Sequence, residues 1–138
     1  MRTKAAIITV SFSLVAFVAG SSSGALTPSK KREAAAFAIA HVKKADLHAL
    51  CNDKCDDIEW PDLKGLCQQS CGGITSNDAL ALCQGKYANI LSPDLRAFAQ
   101  GNCAAVTDPE IRAFCKNDCG AIRTAPLRNF CLGTCGSI

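Results

Sequence analysis

Ten cysteines lie between Cys51 and Cys135, and they recur on a fixed period. A shift of 48 lays Cys55 on Cys103, Pro61 on Pro109, Cys67 on Cys115, Cys71-Gly72 on Cys119-Gly120 and Ile74 on Ile122. Within each half a period of 16 emerges: Leu47, Leu63, Ala79, Leu95, Ile111 and Leu127 open six units. Leu50, Leu66, Leu82, Phe98, Phe114 and Phe130 follow three residues later, and Ile58, Ile74, Ile90, Val106, Ile122 and Ile138 mark a shared loop position. Positions within a unit are numbered from its opening residue. So short a repeat implies stacked supersecondary units whose core is shared between neighbours. Cysteine makes up roughly 11 % of residues 47–138, a density that marks a disulfide scaffold.

Apolar or Cys residues recur at unit positions 1, 4, 5, 9 and 12, a helical stripe without the alternation of a strand. Each unit therefore reads as a helix of about three turns with a loop of four or five residues. Ser92-Pro93-Asp94 and Asp108-Pro109-Glu110 place a capping side chain, a proline and an acid where a helix starts, and Ser76 and Thr124 occupy the same capping slot. Gly72, Gly120 and Gly136 directly follow a cysteine, where a left-handed residue would end the helix. Position 3 stays small at Ala49, Gly65, Ala81, Ala97 and Ala113, which suggests neighbouring hairpins pressed together there. Ahead of the repeat, Thr27-Pro28 and the stretch from Glu33 to Ala40 predict a further helix, either continuous with the first unit or a separate arm.

Cys51/Cys55, Cys67/Cys71, Cys115/Cys119 and Cys131/Cys135 are spaced so that, on a continuous helix, each pair projects from one face. Short loops make consecutive helices antiparallel neighbours, and two such helices join outer cysteine to outer and inner to inner. The expected bridges are Cys51–Cys71, Cys55–Cys67, Cys83–Cys103, Cys115–Cys135 and Cys119–Cys131, with Tyr87 facing Ala99 where a rung is missing. The fold class that follows is all-α, three tandem disulfide-stapled antiparallel helical hairpins at 47–78, 79–110 and 111–138.

The twin motif Cys51-x3-Cys55-x11-Cys67-x3-Cys71 resembles the α-hairpinin peptides of plant defence, which include antimicrobial and trypsin-inhibitory members, and the small Tim chaperones of the mitochondrial intermembrane space. Copper-storing helical bundles lined with cysteine are a third resemblance. What the first implies for this chain is a hairpin with bridges and a loop able to meet a protease.

Residues 1–25 have the layout of a secretory signal peptide, with Arg2 and Lys4 before an apolar run from Ala5 to Ala19 and small residues after it. That run is short for a membrane span, for which about 20 residues are needed. Export would also suit the cysteines. Residues 26–46 form a basic segment, helical arm or propeptide, in which Lys30-Lys31-Arg32 resembles a convertase site. The mature chain is expected to start after Gly20, Ala25 or Arg32. The formal charge of +3 resides in the leader and this arm, and residues 47–138 carry eight bases against ten acids. A nucleic-acid-binding face is not expected from that balance. Charge is uneven within the repeat: 47–62 sums to −4 and 111–138 to +3.

Catalytic signatures are lacking. The only histidines, His41 and His48, lie in no zinc-binding or nucleophile motif, and Asp53, Asp56, Asp57 and Glu59 read as a solvated loop. Trp60 stands where other units carry a capping residue, either folded over Pro61 or Leu63 or anchoring an interface. The function expected is that of a secreted non-enzymatic binding protein, with an effector acting on another organism as the form that fits it. It would need no cofactor, enter no membrane stably and meet an extracellular protein through Trp60, Asp56, Asp57 and Arg123. Two alternatives stand beside it: a protease inhibitor or antimicrobial of α-hairpinin type, with Arg123 in the loop that enters the protease, and an extracytoplasmic protein binding metal through thiols.

Overall fold

A computed structural model describes residues 26–39 and 43–138. The leader and His41 lie outside the described residues. Among those described there are seven α-helices and no strand: α1 (Pro28–Ala38), α2 (Lys44–Cys51), α3 (Pro61–Gln68), α4 (Asn77–Gln84), α5 (Pro93–Ala99), α6 (Pro109–Cys115) and α7 (Ala125–Leu132). The 16-residue units are α2 to α7, each followed by a one-turn 3₁₀ segment that begins at position 9. Thr27 caps α1 through a bond from the Lys30 amide, and α1 is separate from α2.

The unit helices have two turns rather than three, because position 7 is left-handed in all six. Asp53, Gln69 and Asn117 have φ of 59°, 55° and 59°, and Gly85, Gly101 and Gly133 lie between 71° and 74°. In α4 the Gly85 amide then bonds Leu82 O at 3.2 Å and the Lys86 amide bonds Ala81 O at 2.9 Å, and the same two bonds end the other five helices. This is the Schellman termination, which consumes two otherwise orphaned carbonyls. Gly72, Gly120 and Gly136 are therefore not the helix-ending residues: they lie in the 3₁₀ segments without positive φ. A side chain at a left-handed position costs energy that glycine avoids. Gln69→Gly is accordingly expected to stabilise the protein by about 1 kcal/mol, raising the thermal midpoint by a few degrees in calorimetry.

After the left-handed turn the 3₁₀ segment carries the chain back to the level at which its helix began. The carboxylate of Asp62, in the first turn of α3, accepts the amides of Thr75 (2.9 Å) and Ser76 (3.1 Å) just before α4. Asp46, Asp78, Asp94 and Glu110 make the equivalent bonds to residues 59–60, 91–92, 107–108 and 123–124. The N-terminal turns of successive helices therefore lie side by side. Each unit is itself a helical hairpin, whose antiparallel legs are its α-helix and its own 3₁₀ return. Six such units follow in tandem with disulfides between consecutive repeats, in keeping with the expected all-α class of stapled helical hairpins and its N-terminal helical arm, α1. Position 3 is small because the helix rests on that return leg: a Cβ on Gly65 would stand 2.7 Å from Ile74 Cγ1 of the same unit.

This register sets the disulfides, which are Cys55–Cys67, Cys71–Cys83, Cys103–Cys115, Cys119–Cys131 and Cys51–Cys135. The expected pairs Cys51–Cys71, Cys83–Cys103 and Cys115–Cys135 do not form. Position 9 is not on the helix that carries position 5, so the four-residue spacing places the two cysteines on opposite legs. Each local bridge instead runs from position 9 of one unit to position 5 of the next, over a sequence separation of 12. Cys135 and Cys51 repeat that relation between the last unit and the first, at a separation of 84. Since α2 also packs on α7, the six units close into a ring.

The helix α1 fills the ring. Ala34, Ala35, Ala36 and Ala38 point in all directions around a helix, yet all are buried, and α1 packs on α2, α3, α4 and α5. Alanine is what so narrow a lumen admits. The junction between units 3 and 4 is the one without a bridge, with Tyr87 at position 9 and Ala99 at position 5. Tyr87 turns to α1 there, and its hydroxyl donates to Glu33 Oε1 at 2.7 Å.

Candidate functional site

Three features of the ring bear chemistry: the cations of α1, the N-terminal rim and a cleft at the closing junction. Lys30, Lys31 and Arg32 are successive residues of one helix, so their side chains leave it in different directions. Lys30 Nζ reaches Leu82 O (3.4 Å), Lys31 Nζ reaches Cys51 O (2.7 Å), and the Arg32 guanidinium donates to Phe114 O. Those carbonyls stand near the C-terminal ends of α4, α2 and α6, where helix dipoles are negative. The tribasic run is thus a three-way pin between the inner helix and alternate units.

Lys30 also donates to the Tyr87 hydroxyl (3.2 Å) and pairs with Glu33 (3.5 Å). Burial pulls the Lys30 ammonium down, but the Tyr87 bond and the Glu33 charge outweigh it and hold its pKa above the usual lysine value. Burial, followed by the bond to Glu33, raises the Tyr87 phenol. Among the described residues Glu33 Oε2 has no hydrogen-bond donor, so this buried carboxylate depends on Tyr87 at one oxygen and on the Lys30 charge at the other. Tyr87→Phe should cost about 2 kcal/mol in denaturant unfolding, because a buried charged acceptor loses its donor.

The N-terminal rim carries position 13 of the first five units: Glu59, Thr75, Leu91, Thr107 and Arg123. Their amides are all held by the first-turn acid of the same unit's helix, and their side chains are all exposed. The rim thus has a fixed backbone and variable side chains. The Thr107 amide is the largest of several influences that hold the Asp94 carboxyl below its ordinary pKa. For Glu110 burial pulls upward, but bonds from Thr124 and the Arg123 amide outweigh it and the carboxyl is also lowered. A depressed carboxyl contributes stability above its unfolded pKa of about 4, and that contribution is lost as pH falls through the folded value. Thermal midpoints should therefore hold from neutrality to about pH 5 and fall at lower pH, with a smaller fall in Asp94→Asn.

The sequence-predicted binding residues do not form one site. Asp56 and Asp57 are exposed on the first 3₁₀ turn, where Asp56 accepts from Gln68 at 2.8 Å. Trp60 precedes α3 and stacks on Phe37 of α1, ring centroids 5.0 Å apart. Arg123 is on the rim ahead of α7. Asp53 pairs with Lys31 at 3.0 Å and Glu59 with Lys43 at 3.2 Å, so part of the acidic cluster is structural. His48 is half-buried beside the Asn52 amide, 3.3 Å away. Ring closure also makes neighbours of the acidic first unit and the basic last units, which the linear sequence places at opposite ends.

The cleft lies where Cys51 meets Cys135. It has a volume of about 360 Å³ and is lined by Lys31, Arg32, Phe114, Asn117, Phe130 and Leu132 among others. Sequence reasoning missed it, since Leu132 and Arg32 come together only through closure. All ten cysteines are in disulfides, so none remains as a thiolate ligand. Five bridges fit an oxidising, extracellular compartment, and no helix among the described residues is long and apolar enough to cross a membrane. No protein-family model, no curated protein and no solved structure matches the chain.

Proposed function

We propose that this is a secreted, non-enzymatic binding protein, an effector-like scaffold that presents the N-terminal rim to an extracellular partner. The observation that carries the reading is position 13: five junctions hold the same backbone bonds, yet display Glu59, Thr75, Leu91, Thr107 and Arg123 to solvent. Such a surface can change its side chains without altering the frame. Leu91, 74 % exposed, is the large apolar residue on it. Covalent closure of the ring suits survival among external proteases. The test is binding of fluorescently labelled oxidised protein to intact cells. Saturable binding that Leu91→Glu combined with Arg123→Glu reduces at least tenfold, with unchanged circular dichroism, supports the reading; binding indifferent to those changes overturns it.

A second reading rests on Arg123. Its side chain is exposed between the buried Ile122 and the start of α7, and its amide is held by Glu110 at 2.8 Å. A basic residue on a braced loop suits the active position of an α-hairpinin-type trypsin inhibitor. Inhibition of a trypsin-like protease that disappears in Arg123→Ala would favour this reading over the first.

A further inference from the structure

We propose that the cleft at the closing junction is a binding site for one amphiphilic carboxylate, a molecule with a single acid group and an alkyl tail. The floor of the cleft is apolar: Phe114 and Phe130 are buried, Pro28 lies at its edge, and Leu132 stands 58 % exposed at its mouth. Its volume of about 360 Å³ falls within the range of small-molecule sites. The two cations in its wall differ in a way that selects the ligand. Lys31 is already neutralised by Asp53 at 3.0 Å. Arg32 is half-buried, lies with its guanidinium carbon 4.8 Å from the centre of the Phe114 ring, and has no carboxylate within ion-pair distance among the described residues.

A guanidinium has five N–H donors, and the bond to Phe114 O uses one nitrogen. The remaining donors can take a carboxylate in the planar two-point fashion that arginine favours. Burial without an acid partner also lowers the Arg32 pKa, as expected for a cation lacking compensation. Asn117 adds an amide to the same wall. An alkyl chain would lie along Phe130 and Leu132, away from Asp53. This site is separate from the N-terminal rim, and its occupancy is independent of what the rim binds.

The probe is dodecanoate, titrated calorimetrically into the purified oxidised protein below its aggregation range, with dodecylamine and dodecanol as controls. Saturable uptake of one equivalent is expected, with the amine at least tenfold weaker. Arg32→Gln should weaken binding at least tenfold. Because Arg32 also pins the ring, Leu132→Glu serves as the second variant: it places a negative charge at an exposed position of the mouth and should weaken binding equally with unchanged thermal midpoint. Absence of saturation, equal binding of acid and amine, or unaltered affinity in folded Leu132→Glu overturns the proposal.

Discussion

Replacing Cys51 and Cys135 together by alanine is expected to destabilise the oxidised protein by about 4 kcal/mol, more than removal of any other bridge. The bonded residues are 84 apart, but the four local bridges short-circuit much of that chain in the unfolded state. Counting only the chain left between them gives an effective loop of about 40 residues, and loop-closure entropy then predicts about 4 kcal/mol. A local bridge closes about 13 residues and is worth about 3 kcal/mol on the same scale. The two losses should also differ in kind. Without Cys55–Cys67 the ring remains closed by the other bridges and by the backbone. Without Cys51–Cys135 no covalent bond joins the last unit to the first, and α1 is held in a structure that can open. Urea unfolding should show the larger loss for the closing pair, and a proteolytic peptide map should join Cys51 to Cys135. A map joining Cys51 to Cys71 would return the molecule to three nested hairpins.

The difference between those arrangements shows how far the sequence could be read. The period of 16, the helical stripe, the proline starts at Pro93 and Pro109, and a helix after Thr27 were legible, because each follows from residue types close together in the sequence, whereas whether that helix ran on into the first unit was left open. Pairing depended on one hidden variable, the residue that ends each helix. That residue is Asp53, Gln69 or Asn117 in half of the units, and a left-handed conformation is unremarkable in such residues only after the structure is known. Once position 7 turns the chain, positions 5 and 9 part company and the register follows.

The first-turn acids had the same double meaning. Asp62 and Asp94 suit the positive end of a helix wherever they occur, and only the side-by-side placement of helix starts reveals that they also bind the next loop. For the basic run, local sequence offered only a cleavage site or a solvated turn. Its targets, Leu82, Cys51 and Phe114, are 20 to 82 residues away, beyond any local pattern. Tyr87 was legible as an inward residue at the missing rung, whereas its partner Glu33 was not, since nothing in the repeat numbers the inner helix. The candidate cleft is a property of closure alone and could not be read from one unit.

Phe114→Ala should be the most damaging single substitution in the ring, at about 3–5 kcal/mol. Phe114 is 1 % exposed and sits between two aromatic neighbours: the Phe98 ring is stacked at 5.5 Å and the Phe130 ring meets it edge-on at 6.0 Å. These are position-4 residues of three successive units, so one truncation loosens two junctions. Arg32 lies over the same ring at 4.8 Å, and loss of the aromatic face leaves that half-buried cation with less to offset its desolvation. Phe114→Leu retains most of the volume but removes the cation–π contact and both ring pairs, and should cost about half as much. The carbonyl that accepts Arg32 belongs to the backbone and survives either change, so α1 should remain seated. The expected signature is a large fall in the urea midpoint with all five bridges intact by mass. A loss below 1 kcal/mol would mean that the aromatic column does not hold units 4 to 6 together.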